Sequence, residues 1–274
     1  MKTNIRIAAL AALALLAGCA SAGFTPYDAA GTDTKLPVAL VSMETDLSPD
    51  VNRATIESYV ARIMADHPDV RLISFGEASL GWYYKPEDPA GYQRTVGERI
   101  DGTAITLIRK LAKQYGVYLS LGFSELEDGK VYDAAVIIDD TGSIIAHRHK
   151  SNFVVFDWLN GYTAGERSLT TALVDNIKVA FLICNDLNDR SYQEAAVADA
   201  RVKALILPQA SSGLRSDVVK TKPTPFPGIW FLAPQRYGRE GPCTYYGSWI
   251  IDPNGYMVTS ADSPGYSYYV LGIR

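Results

Sequence analysis

From position 37 onward, two kinds of hydrophobic pattern alternate along the chain. Continuous apolar runs of strand length occupy 37–43 and 70–75, the pattern of strands buried on both faces. Between them, 49–65 has helical periodicity. Val51, Ile56, Val60, Ile63 and Met64 are expected on one face, with Ser48 at the N-cap. A second helix is predicted over 102–115, with Ile105, Ile108, Leu111 and Ala112 along one side, followed by a third strand over 116–123.

The pattern then changes. Segments 131–138 and 143–149 read as a hairpin closed at Asp139-Asp140-Thr141-Gly142. A strand over 177–184, a helix over 191–200 and a strand over 204–207 follow. A second hairpin, 247–251 and 256–259, turns at Pro253-Asn254-Gly255, and 268–273 closes the sheet. Mixed α/β order with inserted hairpins predicts sheets covered by helices in one domain, since neither an internal repeat nor an interdomain linker interrupts it.

The start of the chain does not belong to that pattern. Lys2 and Arg6 precede an apolar run over 7–17, too short to span a bilayer permanently. A basic stretch, a short apolar run and then small residues describe a secretory signal peptide. It ends in Leu16-Ala17-Gly18-Cys19, which resembles a bacterial lipobox and implies residues 1–18 as signal, lipid on Cys19 and a flexible tether over 19–35. The folded domain is then expected over 36–274, lipid-anchored in the bacterial cell envelope on the periplasmic side of the outer membrane. Removing Lys2 and Arg6 moves the formal charge from −4 to −6, which argues against nucleic acid as a partner. Only Cys184 and Cys243 follow Cys19, so an oxidising compartment permits one disulfide and no framework. The 17 tyrosines are read as half-buried packing.

Three residues that can carry chemistry end predicted strands. Glu77 follows Leu72-Ile73-Ser74-Phe75-Gly76, Lys150 follows Ile144 to His149, and Cys184 follows Val179 to Ile183. Carboxyl ends of strands are where sites assemble in α/β sheets. A carboxylate and an ammonium there need one another, and a thiol between them sits in a reactive setting. His147 and His149 alternate along one strand and are expected to face outward.

Phe75-Gly76-Glu77, His147-Arg148-His149-Lys150 and Ile183-Cys184-Asn185-Asp186 resemble, in order and spacing, the three motifs of the carbon–nitrogen hydrolase, or nitrilase-like, superfamily. Leu207-Pro208-Gln209-Ala210 and the 246–255 hairpin are similar to later parts of that family. The resemblance implies an α-β-β-α sandwich and a non-peptide amide cleaved through a thioester acyl-enzyme. In that chemistry Cys184 is nucleophile, Glu77 base, and Lys150 with the Asn185 backbone N–H the oxyanion partners. It requires no cofactor and no metal, and the histidines and cysteines show no metal-ligand spacing. The expected partner is a small amide or acyl substrate, and the family's habit implies a homodimer.

Two departures matter. The family's second Glu is absent: Trp158 stands at its offset, leaving Asp157 or Glu166 as candidates for the second acid. The family's helix after the Leu-Pro strand is also missing, and 211–228 is expected to be an irregular loop. Phe226, Trp230 and Tyr237 are taken as packing residues. These departures keep open an N-acyltransferase related to apolipoprotein N-acyltransferase, or a non-catalytic binding lipoprotein with the same fold.

Overall fold

The computed structural model describes residues 34–214, 226–261 and 263–274. The expected signal peptide, Cys19 and most of the tether lie outside them. The first half of the domain runs β1 (Thr34–Ser42), α1 (Pro49–Asp66), β2 (Leu72–Ser74), α2 (Pro89–Val96), α3 (Thr103–Tyr115), β3 (Tyr118–Glu127), β4 (Lys130–Ile138), β5 (Ile144–His149) and α4 (Val155–Leu159). The second half runs β6 (Thr170–Val174), β7 (Ile177–Phe181), a 3-10 turn (Cys184–Asn188), α5 (Arg190–Ala198), β8 (Val202–Ile206), β9 (Trp230–Ala233), β10 (Tyr237–Glu240), β11 (Cys243–Tyr246), β12 (Trp249–Ile251), β13 (Met257–Ser260) and β14 (Gly265–Ile273).

Among the described residues, these strands form two six-stranded sheets, ordered β14-β1-β2-β3-β4-β5 and β13-β12-β9-β8-β7-β6, and a β10-β11 ribbon. Each sheet has a parallel centre, β1-β2-β3 or β7-β8-β9, with antiparallel neighbours outside it. Alternation along β1 explains the layering. Leu36, Val38 and Leu40 point between the sheets, against Val179, Phe181, Ile206 and Leu232. Ala39 and Val41 point the other way, to Ile56, Val60, Ile63, Ile105 and Ile108 of α1 and α3. On the far side, Ala180 and Leu205 meet Tyr192 and Ala196 of α5. The order of layers is therefore α-β-β-α, as expected.

The helices owe more to this packing than to their ends. Ser48 holds the N-cap position of α1 without a side-chain cap bond. A cap is typically worth ~1 kcal/mol, whereas each buried Ile or Val contributes about 1.5–3 kcal/mol. Val51, expected on the buried stripe, is 49% exposed. It lies five residues before Ile56, well off that face, and Asn52, one turn before Ile56, takes the inward position.

Other boundaries also differ. β1 starts at Thr34, inside the expected tether. The strand expected over 177–184 ends at Phe181, because the chain must turn at Cys184. β6, β9, the β10-β11 ribbon, α2 and α4 were not predicted. Each is short, and β9 to β11 follow a Ser-, Lys- and Pro-rich stretch that carries no periodicity. Phe226 and Trp230 are buried packing residues, as read from the sequence, while Tyr237 is only partly buried.

Candidate active site

Sheet topology brings three strand ends to one place. Glu77 stands three residues past β2, Lys150 directly past β5, and Cys184 three residues past β7. Glu77 and Lys150 are completely enclosed, and the ammonium Nζ lies 2.7 Å from Glu77 Oε1. The other Glu77 oxygen, Oε2, accepts the Ala210 backbone N–H at 2.6 Å. Burial alone would push the Glu77 carboxyl up, but the Lys150 charge beside it outweighs that and holds it below the usual value. Burial likewise works against the Lys150 charge, yet Glu77 keeps the lysine well above its ordinary range. At neutral pH the pair is ionised.

Two further carboxyls surround the same ammonium. Lys150 Nζ donates to Asp157 Oδ1 at 3.0 Å and lies 3.3 Å from Asp133 Oδ2, outside hydrogen-bonding geometry. Asp133 is fully buried, and burial followed by the Glu77 charge pushes its carboxyl well above the ordinary value, toward the neutral form. Burial also raises Asp157, against the pull of Lys150. Asp157 sits on α4, accepting the Tyr83 hydroxyl at 2.7 Å and the Val154 N–H at 2.8 Å. Of the two candidates for a second acid, the structure brings Asp157 to Lys150. Glu166 is exposed and lines a separate cleft beside His147 and His149. The reason is local: α4 turns Asp157 back toward the site, while 166 lies beyond that turn at the surface.

Cys184 sits at a strained elbow. Its φ is +42°, a region that non-glycine residues rarely occupy. The backbone reverses there, lifting the side chain out of the inter-sheet core toward the cavity. Cys184 N–H donates to Pro208 O at 3.0 Å, and its Sγ lies 3.4 Å from Ser211 Oγ. Asn185 follows as the second residue of the 3-10 turn. Asp186 fixes that turn: its carboxylate accepts the backbone N–H groups of Ile183, Ser151 and Asn152. It also pairs at 2.9 Å with Arg148, both side chains being buried. The elbow carrying Cys184 and the loop carrying Lys150 are thus bolted to one carboxylate. Burial, then the Glu77 charge, pushes the Cys184 thiol far up, so it rests protonated.

Cys184 and Asn185 open on a cavity of about 570 Å³ with Tyr83, Val154, Phe156, Leu187 and Leu214 in its wall. Cys243 also lines it, and both cysteines are free thiols, so the disulfide that the compartment would permit is not formed between them. Sequence reasoning missed Asp133, Arg236 and Glu125. Arg236 is fully buried and clamps the loop after Glu77 by donating to Glu77 O and Ala78 O at 3.3 and 3.1 Å. An aspartate inside the apolar run 131–138 was the available signal for Asp133. His147 and His149 do not simply face outward: both rings turn onto Glu125.

The sequence and the fold are matched in known proteins. The family model for carbon-nitrogen hydrolases matches residues 37–266. An (R)-stereoselective amidase of Pseudomonas sp. is 28% identical over 119 residues, 43% of this chain and 41% of that protein. A cyanide hydratase of Neurospora crassa is 39% identical over 51 residues, 19% of this chain and 14% of its own. These matched stretches thus span less than half of either relative's length. Among solved structures, an amidase from Nesterenkonia sp. AN1 superposes with a TM-score of 0.72 at 20% identity, covering 91% of this chain and 93% of that one. That structure is a glutamate-to-glutamine mutant whose active-site cysteine carries the acetamide moiety of fluoroacetamide. A mutant of the same amidase is known in complex with butyramide, with a TM-score of 0.72 at 19% identity over 88% of this chain and 92% of its own.

Proposed function

The chain belongs to the carbon-nitrogen hydrolase family, and from that membership together with the site geometry we propose that it is a cysteine amidase cleaving a non-peptide amide through a thioester acyl-enzyme. The observation that carries this reading is the ionised Glu77–Lys150 pair enclosed beside a protonated Cys184 at the mouth of one cavity. Glu77 takes the thiol proton as Sγ attacks the amide carbon, which matches a base already ionised and a thiol still neutral. Lys150 and the Asn185 backbone N–H stabilise the oxyanion. The proton on Glu77 passes to the leaving amine as the C–N bond breaks. Glu77 then takes a proton from water, whose oxygen displaces Sγ and releases the acid, and that proton passes from Glu77 to the departing sulfur, restoring the resting thiol.

Glu77 keeps Lys150 charged, its hydrogen bond to Asp157 holds it in place, and no step needs a cofactor. The apolar cavity wall favours an amide with an aliphatic or aromatic acyl group, in line with the butyramide bound by the Nesterenkonia amidase mutant. Intact-mass spectrometry after exposure to amides and p-nitrophenyl acyl esters tests this. The expected result is an acyl adduct and product release, both absent in Cys184→Ala. A folded protein with reduced Cys184 that gives neither, across short and long acyl groups, is a binding protein instead.

A second reading, acyl transfer to an amine, draws on the exposed Val155, Trp158 and Leu159 of α4, which offer an apolar rim beside the cavity. Added amine that captures the acyl group faster than water would favour it. Export and lipid anchoring through Cys19 complete the proposal. Labelling with radioactive palmitate, lost in Cys19→Ala, is the expected result, and label that survives the substitution would overturn it.

A further inference from the structure

On the outer face of the first sheet lies a second cluster of chemically able side chains, separate from the thiol cavity. Glu125 of β3 pairs in register with Tyr132 of β4, and His149 and His147 of β5 pair with Ala134 and Val136. All of these side chains share one face. Because residue 134 is alanine, the intervening strand leaves space above it, and the carboxylate on one side meets both imidazoles on the other. Glu125 Oε2 lies 2.6 Å from His147 Nε2 and 2.8 Å from His149 Nε2. One donor atom from each of the three residues lies within 4.8 Å of the other two.

We propose that Glu125, His147 and His149 form a binding site for a late first-row divalent cation such as Zn²⁺. Three observations support it. First, two imidazoles and a carboxylate are the donor set such ions take, in contrast to the oxygen shells of Mg²⁺ and Ca²⁺. Second, Glu125 is a buried carboxylate without a lysine or arginine partner among the described residues, and its Oε1 has no hydrogen-bond partner. The other buried carboxylate cluster, Glu77, Asp133 and Asp157, already holds the Lys150 ammonium at its centre. Third, the site has an entrance: a cleft of about 200 Å³ lined by His147, His149, Glu166, Ser168, Thr170 and Arg148, whose charge is already paired with Asp186.

The geometry needs little adjustment. Bonds of about 2.0–2.2 Å in a tetrahedral shell set donor atoms roughly 3.3 Å apart. The imidazole nitrogens must therefore draw back from Glu125 by roughly half an ångström. His147, with its side chain 32% exposed, has room to do so. Tyr132 stacks on the His149 ring at 3.9 Å and 11°, which fixes that ring's plane. Three protein donors leave the fourth position to water from the cleft. Since His149 directly precedes Lys150, a bound ion would tie β3 to the strand that delivers the lysine.

Equilibrium dialysis of the intact protein against zinc chloride, in the Cys184→Ala background so that the nucleophile cannot bind metal, tests the proposal. The expected result is one zinc per chain, with affinity at least tenfold weaker in His147→Gln and His149→Gln. Co²⁺ substitution should give a visible absorption band that both histidine variants lose. Zinc should also raise the melting temperature of the parent but not of the double His→Gln variant. His147→Gln, at the exposed edge, keeps the test valid if His149→Gln fails to fold. No zinc retained at micromolar free metal, or zinc retained equally by the histidine variants, overturns the proposal and leaves the cluster as two imidazoles neutralising a buried carboxylate.

Discussion

Replacing Glu77 by Gln should make Cys184 more reactive toward alkylating agents while destroying turnover. In the wild type the thiol is held protonated by burial and by the Glu77 charge, against the opposing effect of Lys150. The substitution removes the negative charge and leaves the ammonium in place, still held by Asp157 at 3.0 Å. A unit charge about 4 Å away at an effective dielectric of about 20 is worth ~4 kcal/mol, or roughly three powers of ten in thiolate fraction. Cys184 is partly open to the cavity, so solvent screening reduces this to about ten- to hundredfold. Iodoacetamide modification at pH 7.5, followed by peptide mapping to separate Cys184 from Cys243, should accelerate by that factor. Amide hydrolysis in the same sample should fall by about a hundredfold or more, since general-base catalysis is typically worth 10²–10⁴. If alkylation slows together with turnover, the Glu77 charge is not what holds the proton on the thiol, and the electrostatic reasoning fails.

Other expectations follow from the same contacts. Because the Glu77 carboxyl is held below its ordinary value of 4.5, the protonated, inactive base appears only in acid. The acid limb of kcat/KM should lie below about pH 4.5, and a limb near neutrality would point to another base. The same depression stabilises the fold above the ordinary carboxylate range and is lost as pH falls through the lower, folded value. Asp186→Ala strands the buried Arg148 guanidinium and should cost about 3–5 kcal/mol in urea denaturation; a loss under 1 kcal/mol would show that Arg148 finds another partner. Gly122→Ala would place a methyl carbon 2.6 Å from Glu77 Cα and 2.9 Å from Ala78 N. Backbone there cannot yield cheaply, so the variant should lose about 1–3 kcal/mol and more in kcat than in KM, and wild-type kinetics would contradict the crowding.

The sequence made some of this visible and hid the rest for definite reasons. Glu77 and Cys184 were legible because buried parallel strands are unbroken apolar runs and polar residues at their carboxyl ends stand out, whereas Lys150 follows the antiparallel edge strand β5 and was legible from the order and spacing of the three motifs. Asp133 was hidden because it lies within such a run, and only the register, in which Lys150 N–H donates to Asp133 O, brings it to the lysine. Glu125 was hidden for a similar reason: it meets His147 and His149 across an intervening strand, a relation no local spacing encodes. Asp157 stood one residue from the expected offset, and only the turn of α4 settles which way it points. The strand-to-elbow change at Cys184 needed a positive φ that nothing in Ile183-Cys184-Asn185 announces.

The distribution of protons around Lys150 would give the proposed cleavage a direction. Before reaction the site holds one ammonium, one firmly ionised carboxylate, and two acids that burial pushes toward their neutral forms. A neutral amide enters without disturbing that balance. In the proposed reaction the acid released from the thioester would ionise at neutral pH and become a second anion beside Glu77, in surroundings that push the Asp133 carboxyl toward its neutral form for the same reason. On that proposal, electrostatic repulsion would eject the product, oppose its return as an inhibitor and disfavour amide synthesis from free acid in this cavity.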